Sequence, residues 1–446
     1  MALRMLSKHL SGRNLLHKKG VLNEVACFKQ FYSSRITNIV KSEKNLLYRE
    51  IFTKIMACGP ITVAEYMKTV LTHPVAGYYT SKDVFGQKGD FTTSPEISQL
   101  FGEMIAVWII NEWNKITNNE FQLVELGPGR GSLARDIIRV FKQLKYTSKL
   151  SLHFVEISPV LSDIQAKNLC VSSKEVKPEV NKNQKNAVTH YRKGITEEGV
   201  QIFWYYSIND VPRKFSVFIA HEFFDTLPVH KFQKTDRGWN EILIDIDPLS
   251  VDQEKFRYVL SGTSTSASII YVSEDEKRDH IEICPQAMVT LDYMASCLKE
   301  CGGFALIADY GHNGEKTDTF RAFRQHKLHD PLVQPGSADL TADVDFSLLR
   351  KIAQKNERLI TFGPVNQGNF LKELGIDIRL NVLLNSASDN QKEQLKSGYH
   401  MITDDDKMGK CFKMLSLFPC VLKEHLQKFP VAGFQQCNTA NSTENK

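Results

Sequence analysis

Val124-Glu125-Leu126-Gly127-Pro128-Gly129-Arg130-Gly131-Ser132 is the stretch that decides the fold. It reads as an apolar strand that enters a glycine-rich turn and leaves it as a helix. Glycines at 127, 129 and 131 let the backbone turn tightly and leave room for a ligand against it. The spacing is E-x-G-x-G-x-G, whereas in the dinucleotide fingerprint G-x-G-x-x-G the third glycine falls one residue later. The shorter spacing, with Glu125 two residues before the first glycine, is the pattern of S-adenosylmethionine-binding loops. Glu125, Gly127, Pro128, Gly129 and Gly131 are therefore the expected cofactor cradle.

Outward from this turn, short apolar strands alternate with helices. Strands are expected at 122–126, 150–157, 201–205, 216–220, 304–308, 359–362 and 412–417, and helices at 132–144, 159–169, 285–300 and 346–356. Such alternation predicts an α/β sheet covered on both faces. Three stretches interrupt it: a polar, Lys-rich excursion over 171–186, a segment of antiparallel strands over 229–273 (clearest at 239–244 and 268–272), and a long loop over 312–343. Before the sheet, residues 46–118 read as mainly helical, with Phe101, Ile105, Trp108 and Ile109 at core spacing. A glycine-rich, aromatic loop interrupts that region. The domain expectation is thus a helical segment with a loop over 46–118, a sheet domain over 119–420 with insertions at 229–273 and 312–343, and a tail over 421–446.

Charge is distributed unevenly. Residues 1–45 hold nine Lys and Arg against Glu24 and Glu43, a surplus of seven. Against the whole-chain net of +5, the remainder carries 5 − 7 = −2, so the basic balance does not indicate a nucleic-acid surface. Leu3, Leu6, Leu10 and Leu15 near helical spacing among basic residues, with no acid before Glu24, predict a mitochondrial presequence over 1–45 and a matrix location. A hydrophobic fraction of 42% and a charged fraction of 24% exclude a disordered or coiled-coil chain. No apolar run reaches the length of a membrane span. The nine cysteines are scattered without a C-x-x-C pair, so neither a disulfide framework nor a metal site is expected.

Two further motifs carry chemistry. Val155-Glu156-Ile157-Ser158 places an acid at the carboxyl end of the second strand, where it can accept hydrogen bonds from both hydroxyls of a ribose, in a nicotinamide dinucleotide or in S-adenosylmethionine alike. Ile219-Ala220-His221-Glu222-Phe223-Phe224-Asp225 runs an apolar strand into two acids at the same edge. Methyl transfer is an in-line displacement in which the protein mainly positions the reactants. A guanidinium nucleophile stays protonated, so a carboxylate pair could hold it and take charge as a proton leaves. Glu222 is the first candidate and Asp225 the second.

Together these residues resemble the MidA-like family of S-adenosylmethionine-dependent methyltransferases. The resemblance spans 51–417. It rests on Gly59-Pro60-Ile61-Thr62-Val63-Ala64-Glu65-Tyr66-Met67, Gly77-Tyr78-Tyr79, Gly89-Asp90-Phe91-Thr92-Thr93-Ser94-Pro95-Glu96, the glycine turn, and His221 through Asp225. It continues through Asp309-Tyr310-Gly311-His312, Ala338-Asp339-Leu340-Thr341-Ala342 and Gln367-Gly368. It implies a seven-stranded, doubly wound, Rossmann-like class I methyltransferase sheet ordered 3-2-1-4-5-7-6 with the last strand antiparallel. A helical N-terminal segment and the insertions would form a second lobe. Cofactor would lie across Gly127–Gly131 with Glu156 on its ribose. Gly89, Asp90, Phe91, Thr92, Ser94 and Glu96 would form a lid or touch substrate. Bacterial-type members commonly carry Asn where His221 stands, so the resemblance assigns that side chain no definite role. The basic N-terminus agrees with the mitochondrial branch, for which the implied activity is symmetric dimethylation of an arginine on a matrix-arm core subunit of respiratory complex I during its assembly. The alternatives are an assembly chaperone that retains the fold without turnover and a nicotinamide-dependent oxidoreductase.

Overall fold

The computed structural model describes residues 45–81, 83–84, 92–177, 189–247, 249 and 254–434. Residues 1–44 (all but the last residue of the expected presequence), Gly89, Asp90, Phe91 and residues 435–446 lie outside the described residues. Seven strands form the body of the main sheet: β1 (Phe121–Leu126), β2 (Leu150–Val155), β3 (Gln201–Tyr205), β4 (Ser216–His221), β5 (Gly303–His312), β6 (Leu359–Asn366) and β7 (Phe412–Pro419). Their spatial order is 3-2-1-4-5-7-6. All neighbours from β3 to β5 pair in parallel, while β7 runs antiparallel to both β5 and β6. The expected class I methyltransferase sheet is what the chain forms.

Every residue of β1 and β4 is buried, as an apolar run covered on both faces requires. Alternation then splits the side chains between two cores. Leu123, Leu152, Val217 and Ile219 face the helices Gln99–Ile116 and Ser132–Gln143, and Val124, Leu126, Phe218 and Ala220 face Pro285–Cys301 and Phe346–Gln354. Phe101, Ile105, Trp108 and Ile109 are all at most 1% exposed, so the helical spacing read from sequence is the buried stripe.

Five features differ from the sequence reading. Part of the 171–186 excursion lengthens the sheet: Ser172–Glu175 pairs with Arg192–Ile195, which pairs with β3. The outer strand, Ser-Ser-Lys-Glu, is exposed throughout and offers no alternation to read. Of residues 268–272, expected as a strand, the first four belong to the helix Ser266–Tyr271 and Val272 caps it. There Thr265 and Ser268 cap each other reciprocally, and that local bonding overrides the β-branched pattern. The 312–343 stretch carries three short strands, Arg321–Arg324, Lys327–His329 and Asp339–Thr341, each too brief to register as periodicity. Residues 367–411, between β6 and β7, contain the helices Gln367–Glu373, Ile376–Ser386 and Asp389–Thr403. The chain also stays packed beyond 420: Lys423–Lys428 is helical, Val431 and Phe434 are buried, and the Trp108 indole N–H donates to Ala432 O.

The second lobe has its own core. Helices Leu46–Cys58 and Val63–Thr72 pack on a sheet of insertion strands, with Tyr48, Phe52, Tyr66, Ile244 and Phe256 among the buried residues. Ile61 and Thr62 pair with Ile244 and Leu243, which fastens the N-terminal segment to the 229–273 insertion. Among the described residues, no helix is long and apolar enough to cross a membrane.

Candidate active site

A cavity of about 510 Å³ opens at the carboxyl ends of β1 to β4, beneath the second lobe. This is the crevice where the strand order reverses and where open α/β sheets bind ligands. Its wall includes Glu125, Gly127, Pro128, Gly129 and Glu156 on one side and His221, Glu222, Asp225 and Glu96 on another.

The glycine turn is shaped by backbone need as much as by ligand access. Gly127, Gly129 and Gly131 have φ of 63°, 55° and 80°, a region that side chains disfavour. A Cβ on Gly131 would come within 2.9 Å of Leu169 Cδ1, so this glycine lets two helices approach and does not itself line the cavity. A Cβ on Gly127 would meet the Phe223 ring at 3.0 Å, so its first constraint is packing against the turn after β4. The turn is tied to the helix Pro159–Leu169, where Gln165 Nε2 donates to Gly129 O at 2.7 Å.

Glu125 is 4% exposed, and its Oε2 has no hydrogen-bond partner among the described residues. Burial pushes its carboxyl from the usual 4.5 up to about 8. Glu156 accepts from the Ser158 N–H at 2.7 Å and from Gln165 Nε2 at 3.0 Å, one donor per oxygen, and burial pushes it up to about 7. The Trp204 indole N–H holds Gln165 Oε1 at 2.8 Å and so fixes the amide orientation. Two buried acids, with the glycine turn between them, fit a ligand that carries a ribose and a positive charge.

At the end of β4 the chain reverses sharply, and Glu222 sits at φ 50°, a strained conformation for a non-glycine residue. Asp309 on the neighbouring β5 holds the turn. Its Oδ2 accepts from the N–H groups of Phe223, Phe224 and Asp225 at 3.1, 2.9 and 3.3 Å, and its Oδ1 from Tyr310 N–H at 2.9 Å. Glu222 Oε1 lies 3.3 Å from the Ser94 N–H and 3.4 Å from His221 Nε2. Burial and then the charge of Asp225 push the Glu222 carboxyl well above its usual range. The Ser94 N–H opposes this, and Glu96 and Asp339 add to it. Among the described residues, no Lys or Arg forms an ion pair with Glu222. Asp225 accepts from the Thr341 hydroxyl at 2.9 Å through Oδ2, while its Oδ1 has no partner among the described residues; burial pushes it up to about 6. His221 is pushed down to about 3 by burial and is therefore neutral, its ring 4.9 Å from that of Phe101.

Of the expected lid residues, Glu96 lines the cavity and Ser94 reaches Glu222 through its backbone, whereas Thr92 does not line it. Sequence reasoning assigned no role to Tyr79, Asp309 or Asp339, although their motifs stand in the resemblance. It also passed over Tyr206-Ser207-Ile208-Asn209, which line the cavity just past β3. The signal for those four was position alone, since ligands gather at the carboxyl ends of strands.

The comparisons agree with this geometry. Residues 104–365 match the family described as "Putative S-adenosyl-L-methionine-dependent methyltransferase". The chain is 48% identical over 434 residues to a zebrafish (Danio rerio) protein named "Protein arginine methyltransferase NDUFAF7, mitochondrial", covering 95% of this chain and 99% of that one. It is 50% identical to the human (Homo sapiens) protein of that name over 378 residues, 84% of this chain and 83% of that one. A Burkholderia thailandensis protein crystallised with S-adenosyl-homocysteine superposes with a TM-score of 0.67 at 21% identity, covering 84% of this chain and 92% of that one, and shows the same fold. The nicotinamide alternative falls with these matches. A cavity with a glycine turn and buried acids at the switch point of a class I sheet, matched over most of its length by these relatives, places the chain in the MidA-like family of S-adenosylmethionine-dependent methyltransferases.

Proposed function

We propose that the protein is a mitochondrial-matrix arginine N-methyltransferase that symmetrically dimethylates an arginine on a matrix-arm core subunit of complex I during assembly. The relatives' names support the arginine and the mitochondrion. The observation that carries the chemistry is Glu222, a buried acid whose strongest neighbouring charge is a second acid, Asp225. Such a site is costly empty and is relieved by a cation. A guanidinium supplies that cation and keeps it at every physiological pH.

In this reading Glu125, the 127–131 turn and Glu156 hold S-adenosylmethionine, which when bound supplies a sulfonium methyl group. Glu222 holds and orients the guanidinium. A guanidine nitrogen held in line by Glu222 would accept that methyl group, with the sulfur leaving as a neutral thioether that keeps the electron pair. The surplus proton on nitrogen passes to Glu222 or Asp225. Asp309 acts through the turn it fixes, and His221, being neutral, contributes no charge. The test is mass spectrometry of matrix proteins from mitochondria with and without the enzyme. A symmetric dimethylarginine lost from one complex I core subunit is expected; an unchanged methylarginine inventory would overturn the reading.

A further inference from the structure

The Ala338–Ala342 motif has no part in the mechanism above, yet it enters the cavity. Its strand, Asp339–Thr341, belongs to the small sheet of the 312–343 insertion, where Asp339 pairs with Phe323. Asp339 is 3% exposed and lines the same cavity as Glu222 and Asp225. The strand is docked firmly. The Thr341 hydroxyl donates to Asp225 Oδ2 at 2.9 Å, and the Ala342 N–H donates to Asp225 O at 2.9 Å. Residues two apart on a strand share a face, so Asp339 is carried on the side that meets the β4 turn. From the N-terminal segment, the Tyr79 hydroxyl donates to Asp339 Oδ1 at 2.7 Å and sets the plane of the carboxylate. Asp225, only 4% exposed, lines the cavity with an Oδ1 that has no partner among the described residues, an independent sign of a missing donor at this spot.

We propose that Asp339, oriented by Tyr79, is the second wall of the arginine site: it takes the guanidinium from the insertion side while Glu222 takes it from the sheet side. The inference rests on the arginine reading and deepens it. A guanidinium carries five N–H donors in one plane, a fork wide enough to meet carboxylates on two sides. A lysine ammonium is a compact point charge and cannot bridge them in the same way. The arrangement also explains why the insertion and the N-terminal segment meet at this point, since each supplies one member of the Tyr79–Asp339 pair.

The test uses the full mature protein and the peptide Gly-Gly-Arg-Gly-Gly. Asp339→Asn keeps an acceptor for the Tyr79 hydroxyl and removes the charge. Loss of a charge-assisted hydrogen bond should raise KM for the peptide roughly tenfold to a hundredfold, with S-adenosylmethionine affinity and unfolding midpoint unchanged. Tyr79→Phe leaves the charge and frees its orientation, so KM should rise by less and cofactor affinity should hold. A wild-type KM in Asp339→Asn would overturn the inference and leave the arginine reading standing. So would a variant whose losses follow its unfolding midpoint, and if Asp339→Asn does not fold, a wild-type KM in Tyr79→Phe decides against it. A wild-type enzyme that neither binds nor methylates the peptide, and leaves no methylarginine in the mitochondrial comparison, removes both.

Discussion

Replacing Glu125 by glutamine should make the cofactor-free protein more resistant to unfolding at pH 8 than at pH 5, relative to wild type. Burial displaces the Glu125 carboxyl from 4.5 to about 8. Below pH 4.5 the group is protonated in both folded and unfolded chains and contributes nothing. Between pH 4.5 and 8 the unfolded chain ionises while the folded one keeps its proton. The folded state then binds more protons, and stability falls as pH rises. The displacement sets a ceiling of about 5 kcal/mol, of which roughly 3 kcal/mol should develop between pH 5 and pH 8. Glutamine keeps the size and cannot ionise, and the cost of burying its amide is the same at both pH values. Urea unfolding of both proteins at pH 5 and pH 8 reads the difference directly. The gap should widen by about 3 kcal/mol in favour of Glu125→Gln, and added S-adenosylmethionine, a cation, should narrow it. Parallel pH profiles would refute the claim that this acid is held neutral by its burial.

Glu156→Gln should weaken S-adenosylmethionine binding by roughly tenfold or more with only a modest fall in the unfolding midpoint, since the single amide oxygen can keep one of the two bonds from Ser158 and Gln165; calorimetry checks it, and unchanged affinity would remove Glu156 from the ribose. Gly127→Val faces both a positive φ and the Phe223 ring, so it should lower the melting temperature as well as cofactor affinity. A folded, fully stable Gly127→Val protein with wild-type affinity would show that the turn is not the cradle.

The sheet was legible because its strands are apolar runs bounded by polar or glycine-rich turns, and all seven sheet strands lie where those runs lie. Strand β6 continues past its expected end at 362 through a register shift between Phe362 and Val365, where Gly363-Pro364 reads as a breaker. The helix Asp389–Thr403 escaped notice because only Gly398, Ile402 and Thr403 are buried, too few to print a stripe on the sequence. Glu125, Glu156, Glu222 and Asp225 were visible as acids at strand ends, and the structure gathers all four in one cavity. Asp309 and Asp339 were not visible as site residues. Their contacts reach Phe224 and Tyr79, across 85 and 260 positions of chain, and only the folded register brings them together.

The central claim is that Glu222 holds the nucleophile for methyl transfer from S-adenosylmethionine. Single-turnover transfer to the proposed complex I core subunit, measured with S-adenosylmethionine binding on the same preparations, tests it most directly. Glu222→Gln should bind S-adenosylmethionine as wild type does and transfer methyl roughly a hundredfold or more slowly, with Asp225→Asn losing less. Transfer by Glu222→Gln at the wild-type rate would contradict the account and make Glu222 a structural acid.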